Sequence, residues 1–448
     1  MKRGSAERRG GGALDLGGAG GKRAVGRAAR AWVMYDWANS AFITVVAAAL
    51  YPPFFRSLAT SAGMSETAAT ALWGYVSAAA LNAAAVISPA LGATSDHTGG
   101  KKRYLAVLAI LGIAVTACFT LIGEANWRLA AALYLLATVG FAGANVFYDS
   151  LLPHVAARGD LDRVSSRGFA LGYVGGGILL SLNMLWVSRP ELFGMPGRDF
   201  AIRASFVSVS VWWALFSIPL FRHVPEPPVA PHRPDAGAAI VEGLRRLAAT
   251  LREIRRYRQL FLFLLAFWVY TDGVGTIVRM ATAYGHELGI GISDMVAALV
   301  ITQFVGIPFT LIFSRVAGRV GAKTAILFTL VVYACVSGLA YFMRTPAHFY
   351  ALAVVVATVQ GGCQALSRSL FARMVPSGKE AEFFGFYSSS AKFAGVFGPV
   401  VFGAIAHATG QSRLGILSVL LFFVVGAVLL SRVDVREGEL AAAPPGRV

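Results

Sequence analysis

The chain has 448 residues, of which 56% are hydrophobic and only 14% charged, with a mean hydropathy of +0.63. Soluble domains carry about 25% charged residues, so a single soluble globule is excluded. The formal charge of +17 would suit a polyanionic partner, but the Lys and Arg sit in short connections between apolar runs, with no stripe interleaved with aromatics, which argues against nucleic acid.

Residues 1–31 are rich in Arg, Lys and Gly but have no apolar core followed by a cleavage site, so they read as a disordered basic tail rather than a signal peptide. After them, twelve stretches meet the requirement of about 20 mostly apolar residues for crossing a bilayer. They lie near 32–51, 70–93, 104–123, 128–150, 166–187, 204–221, 259–281, 294–314, 324–343, 347–370, 384–407 and 414–432. This predicts an all-α integral membrane protein with two six-helix bundles, 32–221 and 259–432. Between them, 222–258 begins Pro-rich and becomes a basic helix over 241–258, and 433–448 forms a second tail. Cys118, Cys335 and Cys363 all fall in apolar runs with no metal-ligand spacing. The seven His are scattered and suggest no metal site, and no cofactor loop is visible.

An even number of spans puts both ends on one side. About 30 of the 40 Lys and Arg lie in alternate segments that include both tails, which makes that side cytoplasmic and the expected location a cell (inner) membrane. The two halves look like copies. Gly92-Ala-Thr-Ser-Asp96-His97-Thr-Gly99-Gly-Lys101-Lys102 follows the second span, and Ser314-Arg-Val-Ala-Gly318-Arg319-Val-Gly321-Ala-Lys323 follows the eighth, about 222 residues on. Pro153 and Pro376, and Gly168-Phe169 and Gly385-Phe386, repeat at nearly the same offset. Parallel six-span repeats around a midplane site are a transporter architecture.

The loop after the second span fits the signature of the major facilitator superfamily, with His97 replacing a Lys or Arg and the second copy lacking the Asp. More narrowly, Tyr35-Asp36-Trp37-Ala38-Asn39-Ser40-Ala41-Phe42, Ser165-Ser166-Arg167-Gly168-Phe169-Ala170-Leu171-Gly172-Tyr173, Gln364-Ala365-Leu366-Ser367-Arg368-Ser369-Leu370-Phe371-Ala372-Arg373 and Phe383-Phe384-Gly385-Phe386-Tyr387 resemble the vacuole-effluxer-like branch. The resemblance implies a major facilitator fold with pseudo-two-fold symmetry and a central cavity lined by spans one, four, seven and ten. Fungal members are associated with releasing amino acids from the vacuole, so it also implies efflux of a small solute.

Ionisable residues inside a membrane cost several kcal/mol each, and by default are functional or paired. Here they are Asp36, Asp149, Asp272, Arg279, Arg368 and Lys392, and five of the six lie on those four spans. Helical register puts polar groups on shared faces: Asp36, Asn39, Ser40 and Thr44; Asn145, Tyr148 and Asp149; Asp272, Thr276 and Arg279; Gln360, Gln364 and Arg368. The candidate cavity set is therefore Asp36, Asn39, Ser40, Asn145, Tyr148, Asp272, Thr276, Gln360, Gln364 and Arg368, with interhelical hydrogen bonding the competing reading for the uncharged members.

Asp36, Asp149, Arg368 and Lys392 fall in the cytoplasmic third of their spans at 1.5 Å per residue, and form a candidate gate of opposite charges across the halves. Asp272, near the midplane, is the candidate for proton coupling, or a permanent partner of Arg279 or Arg368. Arg368 and Lys392 are also candidate anchors for an anionic group. In the signature loop, Asp96 is expected to face the N-terminal end of the eleventh span near Phe384 and Gly385, with Gly92 and Gly99 allowing close packing and Lys101 and Lys102 following.

The expectation is a secondary transporter, working as a monomer without cofactor or metal, that moves a small polar metabolite by alternating access, with protons as a possible coupling ion. A membrane-embedded transferase would need clustered His, Asp or Glu, and a sensor on a transporter scaffold would carry a folded signalling domain. Neither feature is visible in the sequence.

Overall fold

In a computed structural model of the chain, the described residues are 19–227, 257–287, 290–393, 397–409 and 411–442. Among them are twelve helices long and apolar enough to cross a membrane: Gly26–Ser61, Glu66–Asp96, Lys101–Leu121, Trp127–Val155, Arg158–Ser188, Arg198–His223, Arg258–Val278, Ala297–Val320, Ala322–Ala340, Pro346–Met374, Glu380–Thr409 and Arg413–Ser431. Each expected stretch falls on one of these helices. The basic helix expected over 241–258 lies largely outside the described residues, as does the side chain of Arg279.

Helix ends differ from the sequence expectation in three places. Helix begins at Ala19 rather than after residue 31, because the Ala- and Arg-rich stretch favours helix and buries Ala28 and Ala31. The first span was expected to stop near residue 51, before Pro52 and Pro53, yet helix continues to Ser61. The two prolines occupy the first turn of the helix Tyr51–Ser61, where a missing N–H costs nothing, and the preceding turn widens into a π-helix over Phe42–Leu50. Third, the expected tail after residue 432 carries a short helix, Val435–Ala441, docked through Gln259, which donates to Glu437 at 2.6 Å and accepts from the Asp434 amide at 2.8 Å.

Packing repeats between the halves. Spans one and five, one and six, two and four, three and four, and three and six pack together in the first half; seven and eleven, seven and twelve, eight and ten, nine and ten, and nine and twelve do so in the second. The halves meet where span two packs on span eleven, span five on spans eight and ten, and span four on span eleven. Adding six to each number exchanges the 2–11 and 5–8 contacts, as pseudo-two-fold symmetry requires.

Spans three, six, nine and twelve turn large apolar side chains outward, among them Val107, Ile110, Val211, Leu215, Phe328, Val331, Leu421 and Val428. An exterior of that kind suits hydrocarbon and not water.

The two loop copies do the same job in each half. Lys102 Nζ donates to the carbonyls of Phe221 and Val224 at 3.0 and 2.6 Å, closing the end of span six. Lys323 Nζ donates to Ser431 and Val433, both at 2.8 Å, at the end of span twelve. A cation there satisfies the orphan carbonyls of a helix C-terminus. These loops lie on one face of the bundle, the basic face.

Candidate functional site

Near the basic face, Arg368 of span ten enters the first half. It is 3% exposed. Its Nη2 donates to Asp36 Oδ2 and its Nη1 to Asp149 Oδ1, each at 3.0 Å, while Nε donates to Ser165 Oγ at 2.9 Å and Nη2 to the Ser165 carbonyl at 3.0 Å. Three rings cover the guanidinium: Phe169 at 4.3 Å, Trp32 at 4.8 Å and Tyr148 at 5.6 Å. Planar delocalised charge with a fork of donors is what lets one side chain meet two carboxylates, a hydroxyl and aromatic faces together.

Spans one and five come close enough for this because glycines face span one. A Cβ on Gly168 would strike Asp36 and stand 3.0 Å from Arg368 Nη2, and one on Gly172 would stand 2.6 Å from Ser40 Oγ.

A second cross-half network lies further toward the basic face. Lys101 Nζ bridges Asp96 at 2.8 Å and Glu380 at 2.7 Å, all three groups being nearly buried, and Asp96 Oδ2 accepts from the Glu382 amide at 2.7 Å. Asp96 thus meets the first turn of span eleven, where unsatisfied N–H groups attract an anion. Gly92 packs on the backbone of Ala381, and Gly385 on that of Ser88 and Pro89. Gly99 and Gly100 adopt φ of 74° and 82°, a left-handed turn that glycine alone takes without strain. Beside these, Arg373 pairs with Asp162 at 2.5 Å, Ser369 donates to the same carboxylate, and Ser389 Oγ donates to the Ala85 carbonyl at 2.5 Å. Lys392 Nζ meets Ser388 Oγ at 2.6 Å and Ser88 Oγ at 3.2 Å.

From the Arg368 cluster a cavity of about 530 Å³ extends between the halves toward the opposite face. Its polar wall includes Ser40, Thr44, Tyr173, Gln303, Gln360 and Gln364; the rest is largely apolar, with Ile277, Met295, Leu299 and Val356 among its members. The π-helical turn contributes Ile43, Thr44, Ala48 and Ala49. Among the described residues no Asp, Glu, Lys or Arg lines it.

Of the ten candidate cavity residues, Ser40, Gln360 and Gln364 line this space. Asp36, Tyr148 and Arg368 lie in the cluster beneath it, together with Asp149. Asn39 donates to Asn145 at 2.5 Å within the first half. Asp272, 2% exposed, accepts from the Gly398 amide with both oxygens at 3.1 Å and so ties span seven to span eleven, while Thr276 donates to the Asp272 carbonyl at 2.7 Å within span seven.

Asp162 and Glu380 were not singled out in the sequence, and Ser165, Phe169 and Arg373 stood there only within the family motifs, with no site role. Asp162 and Glu380 carried a usable signal, since both are acids at span ends on a face otherwise dominated by Lys and Arg.

Comparison with known proteins agrees with this architecture. The family described as "Vacuole effluxer Atg22 like" matches residues 26–443. The uncharacterized MFS-type transporter YxiO of Bacillus subtilis is 40% identical over 402 residues, covering 89% of this chain and 93% of that protein. Autophagy-related protein 22-1 of Aspergillus niger is 27% identical over 299 residues, 62% of this chain and about half (48%) of that protein. Among solved structures, the major facilitator proton:xylose symporter XylE bound to 6-bromo-6-deoxy-D-glucose superposes with a TM-score of 0.70 at 13% identity, covering 94% of this chain and all (100%) of the other. FucP in the outward conformation gives 0.68 at 12% identity, with coverage of 92% and 100%. At those identities the likeness lies in the fold.

Proposed function

Because the chain belongs to the vacuole effluxer Atg22-like family of major facilitator transporters, we propose that it is a secondary active carrier that exports a small polar metabolite, with amino acids the first class to test. One observation carries the reading: the central cavity ends at a buried cluster in which Arg368 of one half is held by Asp36 and Asp149 of the other. Such a cluster is a two-state latch, made when the basic face is closed and broken when the halves rock apart. The Lys and Arg distribution supports a cytoplasmic basic face and cytoplasmic termini.

A wall without charged side chains among its described residues favours a solute of zero net charge, since a buried ion needs a partner. A zwitterionic amino acid meets that condition, with its ionic ends satisfied by Gln360, Gln364, Gln303 and hydroxyls. Asp272 is the group assigned to proton coupling, as a buried carboxylate near the midplane that joins spans seven and eleven.

The test is uptake and counterflow in proteoliposomes against a metabolite panel that includes the amino acids, with and without a pH gradient. Flux of at least one neutral solute is expected, and no flux across the panel would sink the reading. Asp272→Asn is expected to abolish gradient-driven accumulation and spare exchange; accumulation equal to that of the unaltered protein removes the coupling role.

A further inference from the structure

Phe169 belongs to the latch and to the cavity at once. Its ring lies over the Arg368 guanidinium at 4.3 Å and also forms part of the cavity wall, which Trp32 and Tyr148, the other rings on that guanidinium, do not. The contact crosses the halves, from span five to span ten. It exists because position 168 is glycine: with a Cβ there, Asp36 and Arg368 could not reach the backbone of span five beside the ring. The ring therefore roofs an ion cluster whose partners are 4%, 12% and 17% exposed in their side chains.

Resting on the alternating-access reading, we propose that Phe169 is the positioning residue through which the cargo governs the latch. On its lower side the ring gives the guanidinium a π face and keeps water from the Arg368–Asp36 and Arg368–Asp149 pairs. On its upper side it is a surface the solute touches. A solute settling deep in the cavity moves the ring aside, the cation loses its aromatic face, and water enters the cluster. The attraction within an ion pair falls steeply as the surrounding dielectric rises. Opening of the basic face is then faster with the cavity occupied than with it empty, in whichever direction the solute is carried. Coupling of this kind needs a residue with a differential contact to both states, and Phe169 has one contact that survives opening, to the cavity, and one that does not, to Arg368.

The experiment measures the latch directly and needs no knowledge of the cargo. Spin labels at Ala157 and Ser377, both exposed and on opposite halves of the basic face, report its width by pulsed dipolar spectroscopy in nanodiscs, in a background with Cys118, Cys335 and Cys363 replaced. Phe169→Leu keeps an apolar side chain but has no π face, and is expected to raise the open, long-distance population roughly three- to thirty-fold over the parent. Phe169→Tyr retains the ring and is expected to stay near the parent distribution. Arg368→Ala serves as the reference for a broken latch. If Arg368→Ala opens the face and Phe169→Leu does not, the inference falls while alternating access stands. Should neither variant open it, the latch reading falls with the inference. Opening by Phe169→Tyr as large as that by Phe169→Leu also overturns it, because the effect would then come from disturbed packing.

Discussion

Arg368 draws its two carboxylates from different helices of the opposite half, Asp36 from span one and Asp149 from span four, and fills its remaining donors with Ser165. Removing one partner of a buried pair costs about 3–5 kcal/mol, because an uncompensated charge stays behind. Arg368→Ala leaves two such carboxylates and is expected to lower the thermal unfolding midpoint in nanodiscs markedly. Arg368→Met combined with Asp36→Asn and Asp149→Asn removes all three charges of the two ion pairs and is expected to recover most of that loss without restoring transport. If the triple variant is as unstable as Arg368→Ala, aromatic and Ser165 contacts, rather than charge pairing, hold the cluster. These charges were legible in the sequence because each stands alone in an apolar run. Asp162 and Glu380 were not, because a charge at a span end is ordinary, and only their sign set them apart from their basic neighbours. Phe169 was marked in the sequence only as part of a repeated Gly-Phe pair and a family motif, and neither shows that its ring lies over Arg368.

At the scale of elements, the seam between spans two and eleven is a backbone-to-backbone contact made by Gly92 and Gly385. A Cβ on Gly385 would stand 2.6 Å from Pro89 Cα, and one on Gly92 would strike the Ala381 carbonyl. Overpacking of this sort costs about 1–3 kcal/mol. It falls on the closed state alone, since the wedge lies between halves and not inside either. Gly385→Val is therefore expected to raise the rate at which a water-soluble maleimide labels a cysteine placed at Ser389, by about tenfold; an unchanged rate would remove this seam from the closing movement. The glycine pattern and its faded second copy mark in the sequence where the loops repeat. Neither told that Lys102 and Lys323 cap spans six and twelve, because that needs the distance from loop to helix end. The cavity was half legible. Ser40, Gln360 and Gln364 follow from register on spans already marked by charge, whereas Tyr173 and Gln303 sit on spans five and eight, where no intramembrane charge drew attention. The π-helical turn could not be read either, since Pro52 and Pro53 look like a stop signal and act as the first turn of a continuing helix.

For the whole molecule, the described polar contacts between halves gather at the basic face, while the cavity extends toward the other. The loop lysines lock the ends of spans six and twelve inside their own half, so each half is built to move as a body. The latch divides its charges unequally between those bodies: one half contributes the acids Asp36 and Asp149, the other the bases Arg368 and Lys392, with Lys392 within electrostatic reach of Asp149. Asp36, Asp149 and Arg368 lie in the same third of their spans, whereas Lys392, expected there too, stands in the middle third of the longer span eleven. Rocking separates them sideways, parallel to the membrane plane, and moves almost no charge along the transmembrane field. A unit charge carried across the full field would respond by about 2.3 kcal/mol per 100 mV. The empty carrier is therefore expected to be electrically silent: voltage steps on a supported membrane should evoke no gating current without solute, and any voltage dependence of flux should report the charge of the cargo and its coupled ions alone. A sizeable gating current in the solute-free protein would mean that one of these side chains travels in depth as the halves part.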